Sequence, residues 1–196
     1  MKTRESGMPD EPVWESFFKP MEVLQALGLV RETERVVDFG SGYGTFSLAA
    51  ARMIKGEVVG LDIEPDLIDL CRQKALEVGL RNARFECRDF VANGTGLPAD
   101  SASYVMLFNI LHAEQPEILL REAHRILAPD GLLAIMHWNY DEKTPRGPSM
   151  TIRPRPEDCR NWVELFGFAD VRPCIDLPPW HYGFTAKARN NNAIKS

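Results

Sequence analysis

No apolar run in the sequence approaches the ~20 residues that a membrane-spanning helix needs. The opening stretch MKTRESGMPDEP lacks the apolar segment of a secretory leader. Basic residues are in the minority: 23 Lys and Arg face 28 Asp and Glu, for a net charge of -5. That balance argues against broad nucleic-acid binding, which draws its affinity from many phosphate contacts. Cysteine is scarce as well. Cys71, Cys87, Cys159 and Cys174 form no Cys-x-x-Cys pair and no zinc spacing, so no metal is expected. The expectation is a reduced, cytoplasmic setting in which the thiols act as small buried hydrophobes. No internal repeat and no second compositional region divides the chain. What remains is 196 residues, 44% hydrophobic and 26% charged, enough for one domain with a sizeable core. Residues 1–196 are read as that domain, with 1–11 and 189–196 as loose ends.

Against this background one stretch carries most of the information. Val36 to Thr45 reads VVDFGSGYGT, in which Gly40, Gly42 and Gly44 alternate with other residues. A buried strand that breaks into a Gly-rich turn and then a helix is how α/β proteins build nucleotide sites. Glycine lets the backbone turn sharply and approach a ligand closely. The spacing by itself is a weak signal. Asp38 at the strand end sharpens it, because a carboxylate there repels a pyrophosphate and attracts an ammonium or sulfonium. S-adenosylmethionine carries both of those cations on a nucleoside.

At these residues the sequence resembles the class I S-adenosylmethionine-dependent methyltransferases. VVDFGSGYG is similar to that family's first motif in its acid and all three glycines, and the resemblance runs from about Val36 to Trp138. It implies an α/β, Rossmann-like three-layer sandwich, with a mostly parallel seven-stranded sheet and an antiparallel last strand. It also implies S-adenosylmethionine as cofactor and methyl transfer to a small-molecule acceptor as activity.

The rest of the chain suits that expectation. Apolar residues from Trp14 to Leu27 recur at helical spacing and are interrupted by Pro20, giving a broken helix that stops at Gly28. In the family such a helix often covers the cofactor; the plainer reading is that Phe17 and Phe18 pack on the sheet. Strands are expected at Arg35–Phe39, Glu57–Asp62, Ala83–Cys87, Ser103–Asn109 and Leu132–Trp138. Helices are expected at Thr45–Ile54, from Pro65 toward Gly79, and after Pro116. This alternation implies a parallel sheet with right-handed crossovers. LAPDGLL, Leu127 to Leu133, resembles the family's turn before strand five, with Asp130 in place of the first of two glycines. After a polar loop and a helix from Glu157 to Phe166, Ala169–Ile175 and Trp180–Ala188 read as an antiparallel hairpin, with Pro173 near an edge.

The candidate cofactor residues begin with Asp38, Gly40, Ser41, Gly42 and Gly44. Asp62 ends the second strand, where an acid accepts hydrogen bonds from ribose hydroxyls; a charge favoured by the following helix dipole is the alternative. Ile63 would pack on the adenine. The resemblance implies that Asp89 meets the adenine amino group with Phe90 beside the ring, and that Asn109 lines the cofactor and acceptor.

Acceptor chemistry is expected beyond the carboxyl ends of the strands, where His112 and His137 fall. The thioether that leaves in methyl transfer needs no acid, so alignment is the main task. A hydroxyl or ammonium acceptor can also require a base, and histidine suits neutral pH. His112 and His137 are the catalytic candidates, each with a plain hydrogen-bonding role as the alternative. His181 ranks below them, and His124 is expected at the surface. The Asn139–Arg155 loop, with Arg146, Arg153 and Arg155, reads either as a lid for an anionic acceptor group or as a solvated basic loop. Trp138, Tyr140, Trp180 and Tyr182 either line an aromatic pocket or fill the core edge.

Two rivals stand beside the methyltransferase. A nicotinamide-dependent oxidoreductase predicts Gly-x-Gly-x-x-Gly and no acid at the strand end. A non-catalytic S-adenosylmethionine-binding module predicts affinity without turnover. Acceptor identity and oligomeric state do not follow from these residues.

Overall fold

The computed structural model describes residues 9–189; residues 1–8 and 190–196, with most of both expected loose ends, lie outside the described residues. The chain opens with α1 (Glu11–Glu15), α2 (Pro20–Ala26), β1 (Arg35–Phe39), α3 (Thr45–Met53) and β2 (Glu57–Asp62). It continues through α4 (Pro65–Glu77), β3 (Ala83–Cys87), α5 (Phe90–Asn93), β4 (Ala102–Phe108) and α6 (Pro116–Ile126). It closes with β5 (Leu127–Trp138), α7 (Pro156–Leu165), β6 (Phe168–Ala169), β7 (Ile175–Leu177) and β8 (His181–Ala188).

The strands form one sheet in the order β3-β2-β1-β4-β5-β8-β6, and β7 also pairs β8. The pairs among β1 to β5 are parallel, while β8 runs antiparallel to β5. This is the Rossmann-like, three-layer arrangement expected from the sequence. The strand order reverses between β1 and β4, which is where open α/β sheets leave a crevice for ligands. On β5, Leu133 and Ile135 join the core under α6 and α7, while Ala134, Met136 and Trp138 join the core under α2 and α3. Period-2 alternation thus supplies both layers from one strand. Among the described residues no helix is long and apolar enough to cross a membrane.

Four local readings change. The single broken helix is two short ones, because Pro20 cannot continue α1 and instead opens α2 at a position where its missing N–H costs little. The expected strand Ala169–Ile175 is also two pieces. β6 pairs the far end of β8 and β7 pairs its start, and Pro173, which has no N–H to give a ladder, sits in the gap. The single turn α5 has no apolar period to announce it; the Asp89 carboxylate caps it by accepting the Ala92 N–H at 2.9 Å. Cys87 is exposed, unlike the buried Cys71 and Cys159.

Candidate active site

The Gly-rich turn is fastened to the end of β2. The N–H groups of Gly40 and Ser41 both donate to the Leu61 carbonyl, at 2.8 and 2.9 Å. The Gly42 N–H donates to Asp62 Oδ2 at 2.8 Å. Gly40, Gly42 and Gly44 have φ of +77°, +52° and +79°, the left-handed region that glycine enters without steric cost. A Cβ on Gly44 would also lie 3.0 Å from Cys71 Sγ. The turn therefore needs both its glycines and Asp62 to hold its shape.

Two buried carboxylates flank it. Asp62 accepts the Glu64 N–H at 3.1 Å on its other oxygen. Burial pushes its pKa up, against the lowering effect of these backbone bonds. Asp38 is 3% exposed and accepts the Ser47 hydroxyl at 2.6 Å. Burial raises its pKa to about 7, opposed by the Ser47 bond and reinforced by the nearby Asp62. Among the described residues neither acid is in an ion pair with a lysine or arginine. The site thus concentrates negative charge with no internal counter-ion.

Buried polar side-chain atoms without a hydrogen-bond partner are uncommon in folded proteins and costly to keep. Among the described residues they are Ser41 Oγ, Thr45 Oγ1, Asn109 Oδ1, His137 Nδ1 and His181 Nε2. All five residues follow β1, follow β4, end β5 or begin the antiparallel β8, so all sit at one edge of the sheet. The first three surround the strand-order reversal. Asn109 is held there with φ of +55° while its N–H donates to the Met136 carbonyl at 2.8 Å.

The remaining cofactor candidates are less exceptional. Ile63 is half-buried beside Asp62. Asp89 caps α5, and the Phe90 ring is packed edge-on against Phe39 at 5.2 Å, as a core residue.

The structure brings the two catalytic candidates together. His112 Nδ1 and His137 Nε2 are 3.4 Å apart, and the rings meet edge to face. His112 is partly exposed and His137 fully buried. Burial, then the Arg153 cation, lowers the His112 pKa to about 4. Burial and the neighbouring His112 hold His137 well below the ordinary histidine range. Both imidazoles are neutral at pH 7. His181 lies on the other face of the sheet, between Trp138 at 4.3 Å and Phe18 at 4.7 Å. Its pKa falls to about 3, chiefly through burial.

The basic loop differs from the lid reading. Arg153 is buried and donates to the carbonyls of Pro148, Asn139, Asp141 and Arg146, and to the Thr144 hydroxyl. Its donors hold the loop to itself rather than waiting for an anion. Arg155 stacks on the Tyr140 ring at 3.8 Å. Tyr182 is a core ring whose hydroxyl donates to the Pro154 carbonyl at 3.3 Å. His124 is not a free surface residue: its Nε2 lies 3.0 Å from the Gly167 carbonyl. A connection that sequence reasoning missed runs from the N-terminus to the Gly-rich turn. Lys74 pairs with Glu11 and donates to the Tyr43 carbonyl, and the Tyr43 hydroxyl donates to the Pro9 carbonyl. No local pattern announces these long-range bonds.

Comparisons with known proteins agree with this geometry. A family profile described as a methyltransferase domain matches residues 36–131. An uncharacterized methyltransferase-like protein of Schizosaccharomyces pombe is 26% identical over 156 residues, covering 74% of this chain and 58% of the relative. The chloroplastic 2-methyl-6-phytyl-1,4-hydroquinone methyltransferase 1 of rice (Oryza sativa subsp. japonica) is 26% identical over 167 residues, covering 83% of this chain and 49% of the relative. The chain therefore spans about half the length of these curated relatives. A crystal structure of a SAM dependent methyltransferase from Aquifex aeolicus superposes with a TM-score of 0.80 at 24% identity, over 91% of this chain and 94% of that one. That likeness carries the fold.

Proposed function

We propose that this chain, which belongs to the class I S-adenosylmethionine-dependent methyltransferase family, moves a methyl group onto a small-molecule acceptor by in-line displacement. The observation that carries the reading is the row of five unpartnered polar atoms at the edge where two buried acids lack a counter-ion.

The residues fit the family's cofactor. Asp38 and Asp62 provide the negative charge that an ammonium and a sulfonium need. Asp62 keeps lone pairs for ribose hydroxyls beyond its two backbone bonds. Ser41 Oγ, Thr45 Oγ1 and Asn109 Oδ1 are placed to bond a ligand at the strand-order reversal, Ile63 offers an apolar side for adenine, and Asp89 stands nearby. When bound, S-adenosylmethionine supplies an electrophilic methyl on a sulfur that leaves as a neutral thioether.

On the acceptor side, His112 is the imidazole with access to the site, and His137 steadies it from 3.4 Å. A neutral His112 accepts a hydrogen bond, or the proton itself, from the acceptor while the buried walls hold the acceptor in line. Base catalysis contributes about 10²–10⁴-fold where it operates. The quinol named for the rice relative supports a small-molecule acceptor.

The test is a labelled-methyl transfer screen over phenols, amines, thiols and carboxylic acids, read by product mass. It is repeated with His112→Asn and His137→Asn. Turnover lost in His112→Asn with cofactor affinity retained is the expected result. Cofactor binding with no transfer to any class would favour the binding-module reading.

A further inference from the structure

Among the described residues Arg153 is the one buried lysine or arginine. Arginine is almost never fully buried unless paired. Here the acceptors of its hydrogen bonds are all neutral. Nε donates to the Pro148 carbonyl at 3.0 Å, and Nη1 to the Asn139 and Asp141 carbonyls at 2.9 and 3.1 Å. Nη2 donates to the Pro148 and Arg146 carbonyls at 2.8 and 3.2 Å. The Asp141 carboxylate acts on Arg153 from a distance, but it is exposed and accepts the Lys143 N–H at 2.8 Å. The guanidinium is thus well hydrogen-bonded yet not neutralised by an ion pair.

Its place is fixed at the acceptor end of the sheet. Asn139 directly follows β5. Gly147 is pressed between the guanidinium and Trp138, since a Cβ there would lie 2.8 Å from both Arg153 Nη2 and Trp138 Cγ. The next residue, Pro154, accepts the Tyr182 hydroxyl at 3.3 Å, and Tyr182 is the cross-strand partner of His137. The Tyr182 and His137 ring centres are 6.3 Å apart, and His137 in turn meets His112.

Resting on the methyltransferase reading above, we infer that Arg153 sets acceptor specificity: the acceptor bears an acidic hydroxyl, phenolic or carboxylic, and is held beside His112 as its oxyanion.

A buried cation favours an anion beside it and disfavours a second cation. The donors of Arg153 are occupied, so it acts through its field rather than by contact, and a low-dielectric interior lets that field reach further than water would. The histidines register it: after burial, the Arg153 charge is among the causes that lower the pKa of His112, His137 and His181. A field that disfavours an imidazolium favours an oxyanion at the same place. An amine acceptor arrives as an ammonium and meets the wrong sign. Arg146 and Arg155 of the same loop add charge of the same sign, with Arg155 held on the Tyr140 ring. The cofactor side mirrors this arrangement, because Asp38 and Asp62 are buried acids facing the cations of S-adenosylmethionine in that reading. In the reaction the acceptor hydroxyl loses its proton to water through His112. An oxygen lone pair forms the bond to the methyl carbon, and the electron pair of the broken carbon–sulfur bond stays on sulfur.

The experiment uses the full chain loaded with S-adenosylhomocysteine, with loading first verified by calorimetry. The probe is 4-nitrophenol, whose absorbance reports its own ionisation near neutral pH and needs no turnover. Titrations across that range should show the anion binding about tenfold more tightly than the neutral form, so that the bound phenol ionises at lower pH than the free one. Benzylammonium should not compete. Arg153→Lys keeps the charge but not the fork of hydrogen bonds, and should keep most of the preference. Arg153→Gln keeps some of the hydrogen bonds but not the charge, and should reduce the preference to about twofold or less. Arg153→Met, also neutral, is read in the same way should Arg153→Gln fail to fold. No binding of the phenol, equal binding of its two forms, or competition by benzylammonium overturns the inference and leaves the methyltransferase reading standing. A preference retained in a folded neutral variant, or lost equally in Arg153→Lys, overturns the role of the Arg153 charge. Failure to load S-adenosylhomocysteine at all defeats the methyltransferase reading, and this inference with it.

Discussion

Replacing Asp38 by Asn should change how the free protein's stability depends on pH. The Asp38 carboxyl titrates near 3.8 when unfolded and at about 7 in the fold, mainly because burial disfavours its charge. Its folded pKa is raised, so the unfolded chain releases the proton first. Stability from this group is therefore full below about pH 4, declines as pH rises toward 7, and is flat above. A shift of that size is roughly 4 kcal/mol in all, of which roughly 2.5 kcal/mol falls between pH 5 and 8. Asn keeps an oxygen for the Ser47 hydroxyl but does not titrate. Asp38→Asn should thus match the natural protein only below about pH 4, and be more stable by roughly 1.5 kcal/mol near pH 5 and by roughly 4 kcal/mol at pH 8. The buried histidines act in the opposite direction: their folded pKa values are lowered, so they cost stability as pH falls below 6.5. The quantity to measure is therefore the difference between the two proteins, from urea unfolding at pH 5, 6, 7 and 8 in the absence of cofactor. A difference that stays constant across that range would refute the argument that Asp38 is a buried, uncompensated acid. A cationic ligand should remove the penalty, so cofactor binding near pH 7 should release a proton and strengthen as pH rises. Calorimetry in buffers of different ionisation enthalpy detects that release.

Three further outcomes are expected. Asp62→Ala should weaken cofactor binding by roughly 1.5–3 kcal/mol through lost charge-assisted bonds, and Asp62→Asn, which retains an oxygen for the Gly42 N–H, should lose less but still measurably in calorimetry; full affinity in Asp62→Asn beside a loss in Asp62→Ala would argue that the acid only shapes the turn. Burial opposes ionisation of Glu122, but hydrogen bonds from Arg125 and Thr95 outweigh it and hold its pKa at about 2. Its stabilisation is present above 4.5 and lost as pH falls through 2, so Glu122→Gln should cost about 1 kcal/mol at pH 7 after allowance for solvent screening; an unfolding midpoint unchanged at pH 7 would contradict this. Arg153→Met should release the carbonyls that hold the 139–155 loop, speeding proteolysis there, and should raise the His112 pKa in an NMR titration. An unmoved His112 titration would sink the electrostatic link.

The sequence is informative where structure is local and periodic. β1, β2 and β3 have the limits expected from their apolar runs and flanking glycines, and α4 and α6 start at Pro65 and Pro116. The Gly-rich turn and its flanking acids are legible because φ and charge are properties of the residues themselves. Arg153 is not, since its partners are backbone carbonyls that any sequence supplies. A basic residue in a polar loop reads as solvated until the loop is seen to fold around it. Glu11 reads as part of a loose end, yet it begins α1 and pairs with Lys74, which the sequence places far away. The His112–His137 contact needs the register of β4 against β5, and that register is fixed by the whole sheet.

The central claim is that the edge holding Ser41, Asn109, Asp38 and Asp62 is built for a cationic nucleoside. Titration calorimetry of the full chain with S-adenosylmethionine, S-adenosylhomocysteine and NAD tests it most directly. The account predicts one binding event per chain for each of the first two and none for NAD. NAD binding, or no heat with S-adenosylmethionine from a folded protein, would contradict it.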